Sequence, residues 1–280
     1  MNPENNFDAF YNNCISKLTY FEIWPGYYKR RYEEFKRIYK LFPAKKFDKI
    51  LEIGCGIGFQ SGLLSCISNQ VVASDIDLGD MIKHSRGLNI TRQFLKQGDL
   101  QNIEVVNASA EQLPFKDEEF DLIYCSYSFQ YIPDKYKAMQ ELKRVLKKEG
   151  YFICILPTTA GRLQIIPPYY IDIFKKLKSL LLKKNPGNEI SSKILKVDDK
   201  KAVKKKTKFL PPPDDEDNSF IKELFSYAPY SWKQLFKING YQIIDEKYLM
   251  FSRLDKPDNT ILERIRKRIT AEGLILIVKK

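Results

Sequence analysis

Apolar positions along the chain follow two rhythms. From 26 to 42, Tyr28, Tyr32, Phe35, Ile38, Tyr39 and Phe42 recur every three or four residues, which predicts an amphipathic helix that Pro43 ends. FDKILEI (47–53) is a short, mostly apolar run and predicts a buried strand, followed by the glycine-rich CGIG and a helical stretch to about Cys66. QVVASD (70–75), IEVVN (103–107), FDLIYCSYS (120–128) and YFICILP (151–157) predict strands, with helices over 79–96 and 134–147 between them. Strands alternating with helices predict right-handed βαβ units, an α/β chain with a doubly wound and mostly parallel sheet.

The rhythm breaks after Pro157. Residues 160–229 hold Pro167–Pro168, a lysine-rich tract, Pro211–Pro213 and the acidic run Asp214–Asp217, which predicts an insertion. The alternation then resumes with a helix over 230–238 capped by Gly240, a strand over 241–251, a helix over 258–271 and a final strand, GLILIVKK, over 273–280. The expected organisation is a helical segment at 1–43 serving as lid or cap, one Rossmann-like domain at 44–159 and 230–280 with an antiparallel last strand, and a helical, basic insertion at 160–229.

Charge sharpens this picture. The 280 residues carry a formal net charge of +12. Residues 162–210 hold 14 Lys/Arg against 4 Asp/Glu, so nearly all the basicity belongs to the insertion, and so does any argument about anionic partners. Hydrophobic residues at 44% suffice for a sizeable core, and no apolar run nears the roughly 18–20 residues that span a bilayer. The N-terminus has no basic n-region or apolar h-region, so the expected compartment is the cytoplasm, with peripheral membrane contact as an added expectation below. Five scattered cysteines without a CxxC pair, and a single histidine, His84, point away from a disulfide framework and from a metal site. Cys125 lies in an apolar run with no proline before it, which fits a core residue rather than a nucleophile.

The informative chemistry begins at Glu52. A strand runs into Gly54, Gly56 and Gly58, with Cys55 among them, and then into a helix. Glycine serves where the backbone turns sharply and must approach a ligand closely. Asp75 ends the next strand 21 residues after Gly54, where a carboxylate can accept the hydroxyl hydrogens of a ribose. Phe59 stands where the dinucleotide fingerprint needs its last glycine, and Glu52 suits an ammonium group better than a pyrophosphate.

LEIGCGIG followed by VVASDID resembles the first two motifs of class I S-adenosylmethionine (SAM) dependent methyltransferases, closest to the type 11 or UbiE-like group. SAEQLPFKDEEFDLIYCSYSFQYIPD and ELKRVLKKEGYFICILP resemble the later motifs in the expected order. The resemblance covers roughly 44–157, with 230–280 as a plausible extension. It implies SAM as cofactor and S-adenosylhomocysteine as product. It also implies that Glu52 sits near the methionine moiety, that the glycines pass close to the cofactor, and that Asp75 holds the ribose. In the same way Ile76 packs on adenine, Ala110 offers it an N–H, and Ser109 takes the place of the family's usual Asp. Ser126 and Tyr127 fall near the methionine and the transferred methyl. The family's histidine after the fourth strand is replaced by Gln130 or Tyr131, and its Pro-Gly-Gly by Lys148-Glu149-Gly150, a turn variant in which Gly150 supplies the special backbone.

Methyl transfer from a sulfonium is an in-line displacement, and a general base is needed where the acceptor must lose a proton. With no histidine in place, Tyr127, Tyr131 and Asp134 are the candidates, unless the acceptor arrives deprotonated. Tyr20, Trp24, Tyr27 and Tyr28 could close over the cofactor, though amphipathic packing explains most of them. Residues 169–184 place Ile171, Phe174, Leu177 and Leu181 on one face and lysines on the rest, a pattern that fits a cap over the active site or an anionic membrane surface. The lysine tract lacks interleaved aromatics, which disfavours nucleic acid. The reading is a methyltransferase for a small-molecule, lipid-linked or glycan acceptor, without a metal; the alternatives are an RNA or protein methyltransferase docking through the insertion, and a non-catalytic SAM-binding scaffold.

Overall fold

A computed structural model describes residues 3–17, 27–42, 46–77, 88–98, 100–164, 166–167, 169–171, 175, 219–249, 271 and 273–280. Two compact units emerge: residues 1–157, 229–249 and 273–280 form the first, and 158–228 with 250–272 the second.

The first unit is built on a seven-stranded sheet of order β3-β2-β1-β4-β5-β7-β6. Its strands are β1 (Phe47–Ile53), β2 (Ser68–Asp75), β3 (Ile103–Asn107), β4 (Phe120–Ser126), β5 (Leu146–Pro157), β6 (Gln242–Leu249) and β7 (Gly273–Lys279). The first five run parallel, while β7 is antiparallel to both β5 and β6. This is the expected Rossmann-like sheet with an antiparallel last strand, and the alternation accounts for its parallel strands. β7 lies between two strands and is buried over six consecutive residues, so it reads as an unbroken apolar run instead of alternating.

Helices α1 (Pro3–Lys17), α2 (Tyr27–Lys40), α3 (Phe59–Ser65), α4 (Leu88–Gln97) and α5 (Lys135–Val145) precede α6 (Thr159–Leu163), α7 (Phe220–Ser226) and α8 (Pro229–Ile238). The stripe predicted on α2 is its packing face: Tyr32, Phe35, Ile38, Tyr39 and Phe42 are buried, and the rings of Phe35 and Phe42 lie 6.2 and 6.3 Å from that of Tyr124 on β4. α1 falls within the helical segment expected over 1–43, but no apolar period in the sequence marks it. Its asparagines dilute the apolar period, and it holds through Phe7, whose ring meets Phe35 and Tyr39 at 5.3 and 4.9 Å. On the other side Trp232 of α8 donates its indole N–H to the Pro157 carbonyl at 2.9 Å, and Phe236 packs against Phe152 at 5.5 Å.

Two boundary expectations need correction. The helix expected to reach 147 ends at Val145, and β5 starts at Leu146. Gly150 is no turn: it lies within β5 at a non-positive φ, opposite a register shift between Phe120 and Leu122. Its missing side chain leaves room for Leu146, whose Cδ1 would stand 2.7 Å from an added Cβ. Gly240, at φ +75°, is the cap that the sequence predicts. The expected helix over 258–271, most of 169–184 and His84 lie outside the described residues.

In the second unit α6 and α7 are joined by a buried ion pair, Arg162 Nε to Glu223 Oε2 at 2.6 Å, with the guanidinium 5.1 Å from the Phe220 ring centroid.

Candidate functional site

The chain leaves β1 through three left-handed glycines, Gly54, Gly56 and Gly58, at φ +70°, +54° and +85°. Gly54 and Cys55 donate their amides to the Ser74 carbonyl of β2 at 2.8 and 3.0 Å, which folds the loop back over the sheet edge. The three glycines differ in purpose. A Cβ on Gly54 would stand 2.3 Å from Ser128 Cβ, and one on Gly58 3.0 Å from Thr91 Cγ2, whereas one on Gly56 would meet nothing within 4 Å. Gly54 and Gly58 therefore serve packing, and Gly56 leaves the outer side of the loop open to close approach.

Asp75 closes the loop from the end of β2. Its Oδ2 accepts from the Gly56 amide and its Oδ1 from the Ile76 amide, each at 2.8 Å. Burial raises its carboxyl above the usual range, and the two amides pull it back. Each oxygen keeps a lone pair for a ribose hydroxyl. Ile76 beside it is 48% exposed, an apolar surface at the mouth of the loop.

Glu52 is buried at the end of β1, where the Ser61 hydroxyl donates to its Oε2. Burial, with a smaller push from Asp75, lifts its carboxyl to about 8 against the pull of Ser61. Among the described residues no cation pairs with it, so the site favours a ligand that brings positive charge. Cys55 is buried too, and burial pushes its thiol up, which leaves it inert.

Ser109 and Ala110 sit in a tight turn tied to β2 by the Ala108 amide, which donates to the Asp75 carbonyl at 3.0 Å. Ser109 Oγ accepts from the Glu111 amide at 3.2 Å, so it caps the turn, and Ala110 is buried.

The end of β4 completes the edge. Ser128 Oγ donates to the Ile53 carbonyl at 2.9 Å and so sits directly over Gly54. Tyr127 adopts φ +53°, a strained value for a residue with a side chain. Gln130 steadies this turn by donating Nε2 to the Tyr127 carbonyl at 2.8 Å. The Tyr127 ring lies 5.0 Å from the Arg31 guanidinium, and its hydroxyl would be 2.3 Å from a Cβ on Gly273, so that glycine makes room for it.

Two of the expected proton-handling residues lie in and just after the turn that follows β4. Asp134 is exposed and caps α5, accepting from the Lys137 amide at 3.0 Å; its carboxylate serves the helix. Tyr131 is 50% exposed in the 3-10 turn Phe129–Tyr131. Of the aromatic lid candidates, the Tyr28 ring packs on Phe59 at 5.0 Å, while Tyr20, Trp24 and the side chain of Tyr27 lie outside the described residues.

Arg31 and Glu34 of α2 escaped the sequence reading. Glu34 is buried and touches Ser126. The available signal was a carboxylate four residues before Ile38, on the apolar stripe of α2.

The arrangement fits SAM. A lone buried carboxylate suits an ammonium, the open side of Gly56 admits a close ligand, and Asp75 with Ile76 offers hydroxyl acceptors beside an apolar ledge. Among the described residues no cluster of His, Cys, Asp or Glu could hold a metal ion, and no helix is long and apolar enough to cross a membrane.

Residues 51–154 match the family described as a methyltransferase domain. A demethylmenaquinone methyltransferase of Staphylococcus carnosus is 29% identical over 187 residues, covering 63% of this chain and 68% of that protein. Another, of Listeria welshimeri, is 27% identical over 139 residues, 48% of this chain and 57% of that protein, so the chain spans little more than half of the latter's length. A SAM dependent methyltransferase of Aquifex aeolicus shares the fold at a TM-score of 0.50 and 16% identity, with 87% of each chain covered. Over residues 51–154 the chain carries a methyltransferase domain, similar to class I SAM-dependent methyltransferases of the UbiE-like type.

Proposed function

We propose that this methyltransferase acts on a small, ring-bearing acceptor of the demethylmenaquinone kind. The observation that carries this reading is the similarity over 187 residues to a demethylmenaquinone methyltransferase. The composition of the lysine tract supports it against nucleic acid, because charge without aromatic platforms gives weak base stacking.

In this reading Glu52 receives the ammonium of the cofactor, Asp75 its ribose hydroxyls, and Ile76 one face of its adenine. Ala110 supplies an N–H to the adenine edge. Gly54, Gly56 and Gly58 hold the loop in the only shape that lets backbone approach so closely, with Cys55 as filler beneath it. Bound SAM supplies an electrophilic methyl group with a good leaving group. The chain's own task is to orient the acceptor behind that carbon and to exclude water. Ser126 and Tyr127 stand at the edge where this happens, and the rigid Tyr127 ring forms a wall for a flat acceptor. We assign 1–43 to covering the site and 160–229 to acceptor docking.

The test is transfer of tritiated methyl from SAM to demethylmenaquinone in detergent, in reduced and oxidised forms, beside bulk RNA. Label is expected in the quinone fraction, with the reduced form preferred because its ring is richer in electrons and more nucleophilic. Label confined to RNA and falling steeply with salt overturns the reading.

A further inference from the structure

The cofactor reading leaves an ion pair on α2 unused, its Glu34 buried and its Arg31 partly exposed. The Glu34 side chain has no exposed surface, and Arg31 Nη1 lies 3.0 Å from its Oε2 and 3.3 Å from its Oε1. From the sheet, the Ser126 hydroxyl donates toward the same Oε1 at 3.5 Å, long for a hydrogen bond but within the slack common at sites without substrate.

Location gives this contact its meaning. β1 and β4 are parallel neighbours, with Ile53 opposite Cys125, and the chain leaves β1 toward β2 on the far side. The crevice outside their carboxyl ends is therefore the topological switch point, where open α/β sheets hold their ligands. Ser126 is the last residue of β4, and Tyr127, the strained residue after it, carries Arg31 over its ring. One ion pair from α2 thus grips both residues at that edge. A pin for α2 would not need charge: apolar residues of similar volume often hold such a contact as well, without desolvating the buried Glu34 carboxylate.

We propose that Ser126 and Glu34 form the proton-accepting pair for the methyl acceptor, with Arg31 as the residue that positions Glu34. This rests on the reading that the crevice holds SAM and an acceptor with an ionisable hydroxyl. The acceptor's O–H bond breaks as its proton passes to Ser126 Oγ, while the serine's own proton passes to Glu34. The acceptor's freed electron pair forms the bond to the methyl carbon, and the carbon–sulfur bond breaks with its pair left on sulfur. Where that pair is delivered through a ring to a neighbouring carbon, the displaced ring hydrogen leaves as a proton and the hydroxyl is restored, so one proton is still released. Glu34 then returns its proton to solvent. Burial holds the Glu34 carboxyl above the ordinary range, opposed by Arg31 and Arg30 on its own helix and by the Ser126 hydroxyl from β4. The Tyr124 phenol of β4 also feels it, together with Glu52 from β1.

The test uses the full chain and three readouts. Calorimetry with S-adenosylhomocysteine reports the cofactor site alone: failure of the unmodified protein to bind removes the cofactor reading, whereas Glu34→Gln is expected to bind within about threefold of it. Infrared difference titration of the unmodified protein against Glu34→Gln reads the Glu34 carboxyl itself, with no acceptor needed. It should gain and lose its proton above the ordinary carboxylate range, as burial dictates. With reduced demethylmenaquinone, Glu34→Gln should lower kcat about 100-fold and abolish the acidic limb of the pH profile, leaving KM within a few-fold. Ser126→Ala should do the same, and Glu34→Asp should keep the limb. A Glu34 that titrates no higher than an ordinary carboxylate overturns the pair whatever the acceptor is, and so does a Glu34→Gln enzyme within threefold of normal turnover. If Glu34→Gln fails to fold, Ser126→Ala decides by the same turnover criterion.

Discussion

The Asp75 carboxylate accepts the Gly56 amide at 2.8 Å, so the acid at the end of β2 and the open glycine of the loop form one hydrogen-bonded unit. Anything that disturbs one moves the other. Asp75→Asn keeps the size and one acceptor but loses the charge-assisted bond; Asp75→Ala loses both. Calorimetric titration of SAM should show about a tenfold loss for Asn and 100-fold or more for Ala, from one to two strong hydrogen bonds at roughly 1.5–3 kcal/mol each. Ala binding as tightly as the native chain would remove Asp75 from the cofactor site.

The loop glycines should separate stability from binding. Gly54→Ala drives a Cβ into Ser128 at 2.3 Å and forces φ +70° on an alanine. It should cost about 2–4 kcal/mol in denaturant unfolding, the sum of overpacking and left-handed strain. Gly56→Ala meets open space and should cost only about 1–2 kcal/mol of strain. SAM affinity should nevertheless fall for Gly56→Ala, because the new methyl stands where the cofactor must approach. Equal stability losses for the two variants would contradict this division.

The sheet and the loop edge that carries Glu52, the glycines and Asp75 were legible because their residues obey local rules. Buried parallel strands appear as apolar runs, and the Glu52-Gly54-Gly56-Gly58-Asp75 constellation sits at spacings that strand and turn geometry dictate. Asp134 shows where spacing runs out: it places a polar residue near an edge but cannot say that its carboxylate will accept the Lys137 amide of α5. Arg31 and Glu34 were hidden for the opposite reason. A charged pair three residues apart on a helix is ordinarily a solvated one, and only packing of α2 on the sheet buries it against Ser126. Gly150 deceived because a glycine before a strand implies a turn, while here it relieves crowding by Leu146.

The pair Arg162–Glu223 tests how the second unit is held. Its side chains are 7% and 0% exposed, so removing one partner takes a close ion-pair contact from a buried charge. Glu223→Ala should destabilise that unit by about 3–5 kcal/mol. Limited proteolysis should then cut near α6 or α7 first. Replacing both residues with apolar ones, as in Arg162→Met with Glu223→Leu, should recover most of the loss. A single variant as protease-resistant as the native protein would show that the pair contributes nothing.

Glu52 should make folding and cofactor binding respond to pH in opposite senses. Its carboxyl titrates near 8 in the folded chain, well above the ordinary 4.5. Between those values the unfolded chain is ionised there while the folded chain keeps its proton, so stability without cofactor falls as pH rises, by up to about 1.4 kcal/mol per pH unit. The slope vanishes below the unfolded value, where both states are protonated, and above about 8, where both are ionised. A cationic ligand prefers the ionised carboxylate, so SAM affinity should rise over the same window and level off above about 8. Glu52→Gln separates this from every other titration, including that of the ligand's own amine. The variant should unfold with a flatter pH profile, match or exceed the native chain's stability near pH 8, and bind SAM weakly at all pH values. Thermal melts and calorimetry across that range, on both proteins, read the two trends directly. A Glu52→Gln variant whose pH profile parallels the native one would place the titration elsewhere.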